Sequence, residues 1–163
     1  MIQLQYKLHL YTCLVQSFLL YRLEAQILKQ DDEKCLQAFY MKAQHNILHI
    51  SWYDFIIRGS IRQQTKLVDL PLVIADHRRA ILGHIMYLRG EAPAHTMLQH
   101  AINITKGSHL AAGWKHQPGW PRKTWLQQVI ADQDSDIDVI WLQARDHSIW
   151  RSLQPCLVRC SSE

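Results

Sequence analysis

An all-α fold, an irregular bundle of five to seven helices with two small lobes as one arrangement, is what this sequence predicts, on three observations. Apolar residues recur at spacings of three and four, as Leu36, Tyr40, Ala43, Ile47 and Ile50, and again around Ile74, Ile81, Leu82 and Ile85. Helix starters and stoppers bracket these stripes: Asp31 and Asp32 before the first, Pro71 at the head of the second and Gly90 behind it. The chain has 163 residues, 48% of them hydrophobic, with six Trp and six Tyr. That is enough large apolar surface for one packed domain or two small ones, and disorder throughout is excluded.

Taken in order, residues 3–28 read as one helix that is apolar on more than one face. Leu4, Leu8, Tyr11, Val15 and Phe18 lie on one side, and Leu10, Leu14 and Tyr21 on another. A helix apolar nearly all round is expected between two layers. Its core run, residues 8–21, carries His9, Gln16 and Ser17 and falls short of the ~20 residues that span a bilayer. Lys7 resembles the charged start of a signal peptide, but residues 23–26 make a poor cleavage site. With four scattered cysteines as well, an intracellular location, nucleus or cytoplasm and not secreted, is expected. No partner membrane is expected.

A second helix, capped by Asp31 or Asp32 with Glu33 near its positive end, runs to about His49. Residues 51–70 break the period and form a junction. Within it Trp52 and Phe55 are expected to pack inward, Gly59 and Ser60 to turn, and Ile61 to start a short helix. Asp69 or Leu70 opens the next long helix, with Pro71 tolerated in its first turn. Gly83 inside that helix costs about 1 kcal/mol relative to Ala, which implies close packing of another backbone there. One or two helical turns follow Pro93, then a loop over 102–119, a helix from Pro121 to about Ala131, and an acidic turn, 132–136. The turn caps a last helix carrying Ile137, Ile140, Trp141 and Ala144. A final turn holds Trp150, and the tail after Gln154 is expected to fray.

The net charge is +4. Its distribution matters more: residues 92–131 contain Lys106, Lys115, Arg122 and Lys123 and no Asp or Glu. Phosphate contact needs such cations on long stems, and a helix start adds exposed N–H groups. Arg122 and Lys123 stand at a helix start; Trp114 and Trp120 nearby are expected in the core, with stacking on bases as the alternative. Arg78, Arg79 and Arg89 cannot all be buried, so at least two of them are expected to face solvent or a ligand. The candidate nucleic-acid-binding set is therefore Arg78, Arg79, Arg89, Lys115, Arg122 and Lys123.

The sequence offers no catalytic constellation. Asp31 and Asp32 imitate the aspartate pair with which polymerases hold Mg²⁺, yet they precede a helical stripe, and an N-cap is the expected role. His45 and His49 lie four apart and share a helix face, without the glutamate of an HExxH motif. Cys156 and Cys160 with His147 lack a fourth ligand nearby. Neither a nucleophile elbow nor a glycine-rich phosphate loop is present. No cofactor, no metal and no enzymatic activity are expected; a zinc-dependent enzyme would need three convergent ligands among the His and Cys residues.

A resemblance adds what spacing cannot. The segments LYTCLVQSFLLYRLEAQ, DDEKCLQAFYMKAQHNILHISWYD, IRQQTKL, RRAILGHIMYLR, PGWPRKTWLQQV and DHSIWRSL stand in order along residues 7–153. Together they resemble the region just after the catalytic palm in the reverse transcriptases of non-LTR (LINE-type) retrotransposons, with its LLYGSETW, LxxFxxRCLRxILGIxW, RRLxxxGHVxR, GRPxxxWLDQ and DRxxWR motifs. Motif residues matched here are Arg78, Arg79, Gly83, His84, Arg89, Pro121, Arg122, Trp125, Leu126, Trp150 and Arg151. Two of the family's glycines are replaced: Arg22 stands after Tyr21, and His49 stands in the ILGI turn. Ala43, Gln44, His45 and Asn46 replace the basic cluster before that turn.

The resemblance implies a thumb-like helical pair (1–50), a junction (51–70), a post-thumb helical region (71–154) and a tail (155–163). Its implied function is that of a truncated or decayed, non-catalytic remnant that grips template and primer, DNA, RNA or hybrid, weakly and without the palm. The alternative is a helical protein-interaction module with no nucleic-acid role. Exposure of Leu4, Leu8 and Phe18 discriminates, because an uncovered strip there favours a missing partner, a palm-like domain or another protein.

Overall fold

The computed structural model describes residues 3–107 and 123–152, with the Trp52 side chain excepted. The described residues are helical and contain no strand, as the apolar periods predict. Two compact units divide the chain, Met1–Ile74 and Ala75–Glu163. The boundary falls inside a helix, past the 51–70 junction, because Leu70 and Ile74 at the head of that helix belong to the first core.

In the first unit, α1 (Leu4–Leu10), a π-helical turn (Tyr11–Gln16) and α2 (Ser17–Leu20) form one continuous helix. A π turn is wider than the α turn and shifts the register of everything after it. The face that starts at Leu8 and Tyr11 therefore continues into the core through Leu19 and Leu20. Val15 and Phe18, expected beside Tyr11, are thrown outward, and Phe18 is 85% exposed. The helix ends at Leu20 rather than near residue 28, because Arg22 takes a left-handed backbone (φ 66°). A 3₁₀ turn, Leu23–Ala25, follows.

The second helix, α3 (Gln30–Leu48), begins one residue before the aspartates. Asp32 sits inside its first turn and accepts the Lys29 N–H at 3.3 Å, while Asp31 pairs with Lys34. Helix α3 stops in a Schellman turn, with His49 left-handed (φ 57°) and the Ile50 N–H bonded to the His45 carbonyl at 3.0 Å. Tyr40 is buried and donates to the Val68 carbonyl at 2.6 Å. Its ring lies 6.1 Å from that of Tyr11. Leu28, Leu70 and Ile74 complete this core, with Leu36, Ala43 and Ile47 of the expected stripe half-buried against it.

The junction is more regular than the sequence suggests. A 3₁₀ turn, Trp52–Asp54, is closed by the Ser51 N–H donating to Asp54 at 2.7 Å. Phe55 ends it in a left-handed conformation and points outward instead of packing inward. Then α4 (Arg58–Thr65) starts ahead of Gly59 and Ser60, which are helical and not a turn. Buried Thr65 bonds back to the Ile61 carbonyl at 3.0 Å and reaches Gln44 at 3.4 Å. Arg62 pairs with Asp69 beside it.

In the second unit, the later turns of α5 (Leu70–Tyr87) pack with α6 (Pro93–Thr105), α7 (Trp125–Gln133), α8 (Ile137–Arg145) and α9 (His147–Ser152). Leu82, Leu98, Ile102, Leu126, Val129, Ile137, Ile140, Ala144 and Trp150 make its core. Helix α6 extends through residues 102–105, expected to be loop, because burying Ile102 beside Leu98 holds another turn. The remainder of the expected loop and the expected tail lie outside the described residues. Helix α7 starts at Trp125 rather than at Pro121, because Lys123 and Thr124 ahead of it are not helical. Thr124 and Gln127 form a capping box at α7. Asp136 accepts from Ile137 N–H at 2.7 Å at α8. Asp146 at α9 accepts from the Ser148 hydroxyl and from the N–H groups of Ser148 and Ile149, bonds that hold its carboxyl below the usual range.

Candidate nucleic-acid interface

The expected phosphate contacts separate into two groups. Arg78 and Arg79, on α5, are both turned into the second unit. Arg78 is 3% exposed, and its Nη1 donates to the Asp132 carboxylate at 2.8 Å, while its Nε and Nη2 have no hydrogen-bond partner among the described residues. Arg79 is 9% exposed, pairs with Asp76 at 2.6 Å and lies 5.9 Å over the Trp150 ring. Buried guanidinium groups held by carboxylates cannot reach a phosphate without breaking those pairs, at a cost of about 3–5 kcal/mol each. The expectation that two of the three arginines face outward is therefore corrected: only Arg89 does.

Arg89 leaves the end of α5 exposed, and Lys123 is exposed just ahead of the Thr124 cap of α7. They stand on separate elements. Lys115 and Arg122, with Trp114 and Trp120, lie outside the described residues. Lys106 of the acid-free stretch is tied to Asp138 on α8, a partner supplied from beyond that stretch. Arg145 and Arg151, which the sequence reading did not select as contacts, are exposed on α8 and α9.

Why the arginines turn inward is visible around Gly83. A Cβ built on Gly83 would overlap the Trp150 indole nitrogen and stand 3.0 Å from Cδ1 and Cε2. The close approach that this glycine implied is therefore to an indole, not to a backbone. Trp150 brings its indole nitrogen up to α5 at Gly83, and Arg79, one helical turn earlier, lies over its ring. Half-buried Trp125 and buried Leu126 pack in the same core. So Arg79, Gly83, Trp125, Leu126 and Trp150, drawn from three separate motifs, share one structural framework, and Asp132 fixes Arg78 to it.

The other candidates take structural partners where they are described. His49 Nε2 accepts from Lys7 at 3.0 Å. His45, half-buried on α3, gains no further ligand, and among the described residues no three His, Cys, Asp or Glu side chains cluster to hold a metal. His147 stacks on Tyr87 at 4.9 Å between ring centres, and Cys156 and Cys160 lie outside the described residues. His95 was missed. It is buried on α6, between the Ile85 carbonyl at 3.2 Å and Gln99 at 2.9 Å, with Trp141 alongside. With both ring nitrogens partnered, it is a satisfied core group.

Of the discriminating residues on the first helix, Phe18 is uncovered and the other two are only partly so. Phe18 is exposed, Leu4 is at the edge of exposure and Leu8 is half-buried. Tyr6, Leu10, Leu14 and Tyr21 are exposed with Phe18. No helix among the described residues is long and apolar enough to cross a membrane.

No family model, curated protein or solved structure matches the chain.

Proposed function

We propose that this chain is the non-catalytic helical region that follows the palm in LINE-type reverse transcriptases, acting as a weak grip on nucleic acid and doing no chemistry itself. One observation carries the reading. The two positions at which the family motifs have glycine and this chain does not, Arg22 and His49, both have left-handed backbones, φ 66° and φ 57°. A left-handed residue is where glycine is favoured and other residues are strained. Geometry and motif agree at two turns 27 positions apart, although the residues themselves have drifted.

Support also comes from the second unit, where motif residues meet at Gly83 and Trp150. That grouping supports an architectural role for Arg78, Arg79, Gly83 and Trp150, while His84 and Arg151 of the same motifs are exposed. Contact with phosphate then falls to the exposed cations Arg89 and Lys123, with Arg122 and Lys115 in the segment before α7. The test is filter binding of an RNA–DNA hybrid and of duplex DNA across a salt series. Weak binding that falls steeply with salt is expected, with no nucleotide incorporation or strand cleavage. Salt-independent binding, or turnover by the purified chain, refutes the reading.

A second reading, protein association through the first helix, is favoured by the uncovered strip at Tyr6, Leu10, Leu14, Phe18 and Tyr21.

A further inference from the structure

The exposed strip has an order that the sequence alone does not disclose. Tyr6, Leu10, Leu14 and Phe18 are spaced by four, and in an uninterrupted α-helix, at about 3.6 residues per turn, such a row drifts steadily around the axis. The π turn, Tyr11–Gln16, is wider and turns less per residue, so it opposes that drift. The Ser17 hydroxyl bonds to the Thr12 carbonyl five residues back, at 3.1 Å, across the end of this turn. The same register shift that moves Leu19 and Leu20 into the core keeps the four apolar side chains in one row away from it. Tyr21 extends the row at the end of the helix.

We infer that this row is a self-association surface, on which the first helix of a second copy packs antiparallel across a two-fold axis at Thr12. The inference rests on the second reading above and narrows it to one partner. Three features of the helix support it. About an axis at Thr12 the row is its own complement: Tyr6 of one copy faces Phe18 of the other, and Leu10 faces Leu14. Aromatic rings meet aromatic rings at both ends and leucines meet at the centre, the isologous pattern that a two-fold contact requires.

The area is also sufficient. Tyr6, Phe18 and Tyr21 are 63–85% exposed. At ~150–250 Å² for each aromatic side chain, they offer on the order of 400 Å² per copy. With Leu10 and Leu14, two copies reach roughly 1,000–1,200 Å² in total, near the lower limit of a specific interface.

Charge selects the orientation. Residues 3–23 contain the cations Lys7 and Arg22 and no Asp or Glu. A parallel pair sets each cation beside its copy. An antiparallel pair offsets the two Lys7 side chains by ten residues, about 15 Å along the axis, and each Lys7 from the partner's Arg22 by five residues, about 7.5 Å, where a parallel pair gives no offset at all.

Sedimentation equilibrium of the full chain over a range of micromolar concentrations tests this. Wild type is expected to be a monomer–dimer equilibrium. Leu14→Glu, at the centre of the row, is expected to weaken the dimer at least tenfold with the helical circular dichroism unchanged, because the side chain it replaces is exposed. Ile57→Glu, an exposed apolar position off the row, leaves the dimer intact. A wild type that stays monomeric, or an Ile57→Glu effect equal to that of Leu14→Glu, overturns the inference.

Binding of the apolar dye ANS separates the two levels of the claim. A monomer whose dye binding is lost in Leu14→Glu overturns self-pairing but leaves association with another protein standing. A monomer that binds no dye overturns both. A monomer that floats with anionic lipid vesicles overturns self-pairing in favour of a membrane surface.

Discussion

Gly83 and Trp150 are in direct contact: the indole of α9 occupies the space that any side chain at residue 83 would need. Sixty-seven residues separate them in sequence, yet each is explained only by the other. Trp150 is 5% exposed and packed in the core of the second unit. Gly83→Ala is therefore expected to destabilise the protein by about 1–3 kcal/mol through overpacking, although alanine is the better helix former by about 1 kcal/mol. Urea denaturation checks the sign. A stabilised Gly83→Ala would mean that Trp150 does not lie there.

Arg22 and His49 carry the opposite expectation. Each is a non-glycine residue with a left-handed backbone, a conformation that costs about 1–2 kcal/mol. Glycine removes that cost and adds back some entropy in the unfolded chain, about 0.5–1 kcal/mol. Arg22→Gly and His49→Gly should each stabilise by up to about 1 kcal/mol, and together additively, read as a shift in denaturation midpoint. Destabilisation by both would contradict the turn geometry and the resemblance built on it.

Asp132 holds the buried guanidinium of Arg78, whose other two nitrogens have no partner among the described residues. Asp132→Ala should cost about 3 kcal/mol or more, because it leaves a buried charge uncompensated. Replacing both by apolar residues of similar volume, Arg78→Met with Asp132→Leu, should recover most of the loss. Differential scanning calorimetry of the single and double variants measures this. An Asp132→Ala protein as stable as wild type would mean that the pair is solvent-exposed.

Tyr40 links the first core to pH. Burial is the largest cause that raises its phenol above the ordinary value of 10.0, Tyr11 adds to it, and Arg62 opposes it. Because the folded-state value is the raised one, the stability it contributes is complete below pH 10 and is lost as pH rises beyond it. Tyr40→Phe should cost about 1 kcal/mol at neutral pH, through the lost bond to the Val68 carbonyl, and should flatten the alkaline decline. Denaturation curves at neutral pH and above pH 10 test both effects.

Much of this architecture was legible, because short-range periodicity encodes it. The spacing of Leu36, Tyr40 and Ile47, the acidic turn that supplies the Asp136 cap, and the inward face of Ile137, Ile140 and Ala144 all follow from local rules, whereas the start of α7 at Trp125 did not. What was not legible depends on distant partners. Arg78 reads as a surface cation until Asp132, 54 residues on, is brought to it. Phe18 reads as core until a π turn, which no local propensity announces, rotates it out. His95 shows no signal beyond its helix, since its partners are a backbone carbonyl and a neighbouring glutamine. The candidate interface suffered most, because a charge on a helix looks alike in sequence whether it faces solvent or a buried carboxylate.

The central claim divides the cations into those that hold the fold and those that hold nucleic acid, and one measurement addresses the division. Filter binding to an RNA–DNA hybrid over a salt series compares wild type with Arg122→Ala/Lys123→Ala. The slope of log affinity against log salt should flatten by about two units in the double variant, with folding stability unchanged. An unchanged slope would contradict the assigned contact face, and with it the grip on which this account rests.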